Sequence, residues 1–317
     1  MMNENLPKIA LGTWSWGVGD VGGDQVFGNS LGIAELAPVF EEAMKNGLNL
    51  WDSAVVYGMG ASENVLATFT KACPREDVLI STKFTPQIAG HWDNPVEAML
   101  NDSLARFDTD YIDVYWIHNP ADVEKWTPYL VPLVKSGKVK RIGVSNHNLA
   151  QIKRAEEILA KEGVQISAIQ NHYSLLYRSS EEAGILDYCR AKGIAFWAYM
   201  VLEQGALSGK YHTKNPLPAN SQRGITYNPL LVQIEQLTAV MQEVGAAHDA
   251  SVAQVAIAWA IAKGTTPIIG VTKVGQVQDA VKACQLQLTD EEISTIENAA
   301  AQTGVDTRGS WENPMTC

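Results

Sequence analysis

KIALGTWSWGVGDVGG, residues 8–23, is the stretch that decides the architecture. Its first half, KIALGTW (8–14), reads as a β-strand that runs straight into glycine. An open nucleotide-binding sheet carries a GxGxxG turn directly after its first strand, and that turn opens a helix. Here the glycines miss that spacing, and no helix is expected to begin there. Seven further strands follow: LNLWDSA (48–54), DVLISTKF (77–84), DYIDVYWIH (110–118), VKRIGVSN (139–146), AIQNHYS (168–174), GIAFWAYM (193–200) and TTPIIGV (265–271). Between them lie amphipathic helical stretches at 35–47, 62–72, 94–107, 123–135, 149–163 and 180–192. Pro38 is expected in the first turn of its helix, and Gly47 and Gly163 stand as stops. After the seventh strand comes a Gly-, Pro- and Asn-rich loop (203–229) with helices near 230–247 and 251–263. A helix at 276–284 follows the eighth strand. The last, 289–301, opens on Thr289 and Glu292 in a capping-box pattern.

Eight strands alternating with helices close into a barrel or open into a doubly wound sheet. Without the fingerprint the barrel is the better solution. The expected fold is α/β, a (β/α)8 TIM barrel over residues 1–317 with a long insertion between strands seven and eight. No linker or second domain is visible. Composition agrees: 46% hydrophobic and 19% charged residues describe a folded enzyme. A net charge of −11 argues against general nucleic-acid binding. MMNENLPKIA lacks a secretory pattern, and no apolar run is long enough for a membrane span, so a cytoplasmic protein is expected. Cys73, Cys189, Cys284 and Cys317 show neither a CxxC pair nor metal-ligand spacing, which fits reduced thiols.

Chemistry in such a barrel sits at the C-terminal strand ends. Those ends carry Asp52, Lys83, His118, Asn146, Gln170 and Tyr199, six polar closures of apolar runs. One alone would read as packing or a structural ion pair; six at the same end point to a catalytic mouth. Asp52 and Lys83 should pair, since an unpaired buried charge is expensive. Tyr57 follows in the next loop, with Gly58 giving the backbone room to turn. The lysine charge is expected to pull the phenol pKa down. Tyrosine as acid, lysine as tuner, aspartate as partner and histidine as donor to a carbonyl make a proton-delivery set. Neither a metal constellation nor an activated nucleophile stands out.

Asp52, Tyr57, Lys83 and His118, in the contexts DSAVVYG, STKF and WIHNP, resemble the catalytic tetrad of the aldo-keto reductases. The resemblance runs along nearly the whole chain, through ALGTWSWG (10–17), GASENVLA (60–67), RIGVSN (141–146), IQNHYS (169–174), AYMVLEQGALSGKY (198–211) and IIGVTKVGQVQDA (268–280). It implies an NADPH-dependent reduction of an aldehyde or ketone to an alcohol, with NADH as the alternative cofactor and Tyr57 as general acid. Ser145, Asn146 and Gln170 would hold the nicotinamide carboxamide, and Tyr199 would stack on the ring. Gly12, Thr13, Trp14 and Asp52 would border the cofactor. Met200, Val201, Leu202, Gln204, Gly205, Leu207 and Gly209 would run past the pyrophosphate. Gly270, Thr272, Lys273 and Gln276 would lie near the adenosine ribose phosphate.

The chain departs from the family pattern in places. Met200 and Val201 replace the usual Ser and Pro, and Gln276 and Ala280 leave Lys273 as the main cation for a 2′-phosphate. Asp24–Asn29 lengthen the first loop. Trp14 and Trp92 are candidates for the substrate wall, whereas Trp116 points inward with His118 and is expected to pack. KSGKVKR (135–141) reads as a solvated turn. The RGSWENPM tail (308–315) has two readings, covering the mouth or packing on the outer helices. Two rival functions stay open: a cofactor-binding regulatory subunit of this fold, or an aldolase using Lys83 as a Schiff base.

Overall fold

The structure, a computed structural model, describes residues 6–315, so the first five residues, Thr316 and Cys317 lie outside it. Eight parallel strands close into a barrel in sequence order: β1 (Ala10–Gly12), β2 (Leu50–Asp52), β3 (Leu79–Phe84), β4 (Ile112–Ile117), β5 (Val139–Ser145), β6 (Ala168–His172), β7 (Ala195–Tyr199) and β8 (Thr266–Gly270). Strand β1 pairs with both β2 and β8, which closes the ring. All eight expected strands are present.

Successive side chains of a strand point to opposite faces, so each strand supplies one set to the barrel interior and the other to the helices. Ala10, Leu50, Val114, Trp116, Ala168 and Trp197 fill the interior. Trp116 and Trp197 meet edge to face there, with centroids 5.1 Å apart. Gly143 makes room for them, because a Cβ at that position would stand 2.3 Å from the Trp116 ring. Ile9, Leu11, Trp51, Ile80, Tyr115, Ile142, Ile169 and Phe196 face outward into the layer of helices. The same alternation carries Leu50 to Asp52, Trp116 to His118, Ala168 to Gln170 and Trp197 to Tyr199. Packing parity thus delivers polar side chains to one end of the interior.

The helices follow the expected positions with local corrections. Ile33–Lys45 begins two residues early, so Pro38 sits inside the helix instead of in its first turn. The stretch 123–135 breaks into Val123–Trp126, a 3-10 turn at Thr127–Tyr129, and Leu130–Lys135; Pro128 and Pro132 supply no N–H for one continuous ladder. Gly184, with φ of 73°, divides 180–192 into Ser179–Glu182 and Ile185–Lys192. A single turn at Gly23–Val26 appears in the first loop, where no helix was expected. The insertion carries Gln222–Tyr227, Leu231–Ala246 and Val252–Ala262. The capping box forms as expected: Glu292 N–H donates to Thr289 Oγ1 at 3.2 Å, and Thr289 N–H to Glu292 Oε2 at 2.8 Å. Among the described residues no helix is long and apolar enough to cross a membrane.

Candidate active site

Asp52 closes β2 at the C-terminal mouth. Its Oδ2 accepts from Lys83 Nζ at 2.6 Å, and its Oδ1 from Ser81 Oγ at 2.6 Å and Gln170 Nε2 at 3.3 Å. Lys83 is fully buried and gives a second bond to the Ser53 carbonyl at 2.6 Å. Burial lowers its pKa, and the Asp52 charge and hydrogen bond oppose that shift. A buried ion pair is worth keeping only when its geometry is good and its remaining donors and acceptors are satisfied. Here they are.

Tyr57 lies in the loop after β2, which turns at Gly58 (φ of 62°); a Cβ there would stand 2.5 Å from the Val18 carbonyl oxygen. The Lys83 ammonium is 5.4 Å from the Tyr57 ring centroid, and the His118 ring is 6.1 Å away at 79°. The structure overturns the expected direction of the Tyr57 pKa. Burial, and then the charge of Asp52, raise it well above the ordinary phenol value. Lys83 points its short hydrogen bonds at Asp52 and Ser53, so its charge does not win at the phenol. His118 goes down to about 3, through burial first and the nearby Lys83 charge second. Its ring is therefore neutral at physiological pH, with Nδ1 2.8 Å from Thr85 Oγ1.

Around this core stand Ser145, Asn146, Gln170 and Tyr199. Asn146 adopts a left-handed φ of 61° just past β5. Its Nδ2 donates to the His118 carbonyl at 2.9 Å and to Ser145 Oγ at 3.2 Å. The Tyr199 hydroxyl lies 2.5 Å from Asn146 Oδ1. Thr13, beyond Gly12, donates to the Asp52 carbonyl at 3.2 Å. Trp14 stacks on Tyr57 with centroids 5.4 Å apart and planes 20° apart.

The loop after β7 bends through left-handed residues at Met200, Glu203, Gln204, Gly205 and Gly209. Val201 and Leu207 turn their side chains into the core, so only their backbone can line a ligand; Leu202 packs there half-buried. Past Gly270, Gln276 Oε1 accepts from Thr272 N–H at 2.7 Å and Lys273 N–H at 3.0 Å, capping the helix Val274–Ala283. Lys273 is exposed beside it. Trp116 is an interior packing residue, as expected, and donates to Ser81 Oγ at 2.7 Å. Trp92 is 70% exposed on its loop. The basic run 135–141 holds Lys135 against Glu162 and Lys138 against Glu97, a paired surface turn.

The tail covers the mouth. Trp311 meets Trp14 edge to face at 6.3 Å and donates to the Tyr199 hydroxyl at 3.3 Å. Glu312, 8% exposed, reaches the same hydroxyl at 2.6 Å and His172 Nδ1 at 2.9 Å. His172 Nε2 meets Glu203 at 3.0 Å. Neither His172, Glu203 nor Glu312 was singled out from sequence. His172 carried a signal, for it follows Gln170 by two and shares its face. The lengthened first loop also reaches the mouth, with Phe27 edge-on to Trp14 at 5.4 Å. Arg223, from the insertion, donates to the Gln204 carbonyl at 3.0 Å and adds a cation that the sequence reading did not count.

The aldo/keto reductase family model matches residues 8–301. The chain belongs to this family. It is 30% identical over 317 aligned residues to the chloroplastic pyridoxal reductase of Arabidopsis thaliana, covering 94% of this chain and 84% of that one. It is 29% identical to a probable aldo-keto reductase of Glycine max, covering 94% and 90%. Among solved structures, a thermostable aldo-keto reductase crystallised with the inhibitor epalrestat aligns with a TM-score of 0.75 at 26% identity, covering 94% of this chain and 96% of that one. A glycerol dehydrogenase from Gluconobacter oxydans aligns at 0.79 and 24% identity over 97% and 95%, which speaks to the fold. This aldo-keto reductase is thus an oxidoreductase on a (β/α)8 barrel, of a family that acts on carbonyl compounds with nicotinamide cofactors.

Proposed function

We propose that the protein reduces an aldehyde or ketone to the alcohol with NADPH, and that Tyr57 donates the proton. The observation that carries this is the mouth itself. A phenol that burial keeps protonated stands 6.1 Å, ring to ring, from a neutral imidazole and next to the hydrogen-bonded Asp52–Lys83 pair. Reduction develops negative charge on the carbonyl oxygen, and preorganised donors aimed at that charge are the strongest single source of catalysis. Tyr57 gives its proton to that oxygen. Thr85 Oγ1 lies 2.8 Å from Nδ1; in the tautomer where that hydroxyl donates, His118 carries its own proton on Nε2 and can hold the carbonyl. Lys83 and Asp52 fix the electrostatics behind the phenol.

The residues present fit a nicotinamide cofactor. Ser145, Asn146 and Gln170 are buried amide and hydroxyl groups gathered at one rim, the donors and acceptors that a carboxamide needs. Tyr199 offers a ring beside them. The left-handed loop from Met200 to Gly209, with Arg223, suits a pyrophosphate. When bound, the cofactor supplies the hydride. Exposed Lys273, at a helix N-terminus, supports the choice of NADPH. The aldolase reading is disfavoured because Lys83 Nζ is held at 2.6 Å by both Asp52 and the Ser53 carbonyl.

The test is a panel of aldehydes, ketones and sugars, pyridoxal included, assayed with NADPH and NADH. Consumption of NADPH with at least one aldehyde is expected. A folded enzyme that binds cofactor yet turns over nothing in the panel would favour the regulatory-subunit reading.

A further inference from the structure

His172, Glu203 and Glu312 form a buried ionic cluster that the reaction above does not use. Both ring nitrogens of His172 face carboxylates, Nε2 at 3.0 Å from Glu203 and Nδ1 at 2.9 Å from Glu312. A neutral imidazole donates from one nitrogen only, so with both carboxylates ionised this geometry is satisfied by the imidazolium. Burial would depress its pKa, but Glu203 and Glu312 outweigh that and hold it at about 9. The ring also lies between Tyr177 and Tyr199, at 4.4 and 5.5 Å. Glu203 is satisfied by Ser174, by Tyr227 at 2.6 Å and by Thr307 at 2.8 Å, the last from the tail. Glu312 Oε2 accepts from Gly309 N–H at 3.0 Å.

The Tyr199 hydroxyl is where this cluster meets the site. It has a single proton and two acceptors at nearly equal distance, Asn146 Oδ1 at 2.5 Å and Glu312 Oε1 at 2.6 Å. A carboxylate is the stronger acceptor, since charge-assisted hydrogen bonds are roughly twice as strong as neutral ones. We propose that Glu312 is a positioning residue for the nicotinamide: it is the alternative acceptor for the Tyr199 hydroxyl, which lets that hydroxyl swing off Asn146 Oδ1 when a carboxamide arrives there. His172 and Glu203 lock that carboxylate in place. This rests on the reading of Asn146 and Tyr199 as the nicotinamide subsite. Without Glu312 the phenol turns its proton to Asn146 and competes with the ligand.

Glu312→Ala leaves Glu203 and His172 as a charge-balanced pair, so the fold should survive; thermal unfolding checks this, and Glu312→Gln replaces it if it does not. Binding of NADP+ and of adenosine 2′,5′-bisphosphate, which lacks the nicotinamide, is titrated by fluorescence. The wild type, Glu312→Ala, Tyr199→Phe and the double variant are compared. The expected result is about ten-fold weaker NADP+ binding in Glu312→Ala, the loss of one neutral hydrogen bond between Asn146 Oδ1 and the carboxamide. Binding of the bisphosphate should be unchanged, and the effect should vanish on the Tyr199→Phe background. Equal losses for both ligands, or an undiminished loss on the Tyr199→Phe background, overturn the proposal and leave Glu312 a structural anchor. A wild type that binds neither NADP+ nor NAD+ overturns the cofactor reading itself, a distinct outcome.

Discussion

Two buried ionic clusters share one barrel mouth, and they are built by opposite means. Asp52 and Lys83 come from neighbouring strands, and the ladder that pairs Asp52 with Ser81 fixes their relative positions. His172, Glu203 and Glu312 come from a strand end, a loop and the tail, with 140 residues between His172 and Glu312. The first cluster is a single pair that neutralises itself. The second has one cation for two carboxylates and depends on hydroxyl donors for the balance. Strand geometry sets a charge pair rigidly, whereas a cluster assembled from distant segments couples the site to the chain that covers it. The two histidines show the contrast most directly, one held neutral and the other held charged on the same rim.

The comparison can be broken at several points. Tyr57→Phe carries the largest expected effect, a loss of about 10²–10⁴-fold in kcat for removal of a general acid. Dissociation constants for the cofactor should barely move; weakened binding with turnover intact would remove Tyr57 from its role. Lys83→Met leaves the Asp52 carboxylate buried and alone, which should destabilise the fold by about 3–5 kcal/mol in denaturant titrations. Glu312→Ala leaves no such orphan and should cost less, so equal costs would erase the distinction between the clusters.

The histidines should then separate by pH. The folded-state pKa of His172, about 9, lies above its ordinary 6.5, so its stabilisation is full below pH 6.5 and is lost as pH rises through 9. His118 is depressed to about 3, so its contribution is full above pH 6.5 and is lost as pH falls towards 3. Unfolding midpoints of His172→Gln and His118→Gln against pH should flatten opposite limbs of the wild-type curve; the same limb for both would refute the assignment. The smallest effect belongs to Lys273→Ala. An exposed charge contributes about 0.5–1 kcal/mol, so NADPH binding should weaken about two- to five-fold with NADH unaffected.

Much of this was legible in the sequence because strands impose a short period. Asp52, Lys83, His118, Gln170 and Tyr199 sit at strand ends two residues beyond interior positions, and that pattern is written locally. The eight strands were read in the same way. The one-turn helix at Gly23–Val26 was missed because it is four residues long, glycine-rich and has no side-chain cap. The Tyr57 pKa differs from the expectation because sequence shows which charges are near but not how completely the phenol is buried. Glu312 was illegible for a different reason: nothing in WENPM announces a partner at His172. His172 itself could have been found, since parity with Gln170 aims it at the same mouth.

Trp116 donates to Ser81, and Ser81 donates to Asp52, so a continuous chain of polar hydrogens runs from the barrel floor to the charge behind the reacting phenol. The floor of the site is therefore wired to its chemistry. The indole N–H of Trp116 offers spectroscopists an internal probe, screened from solvent, that senses the charge on Asp52 without touching the substrate.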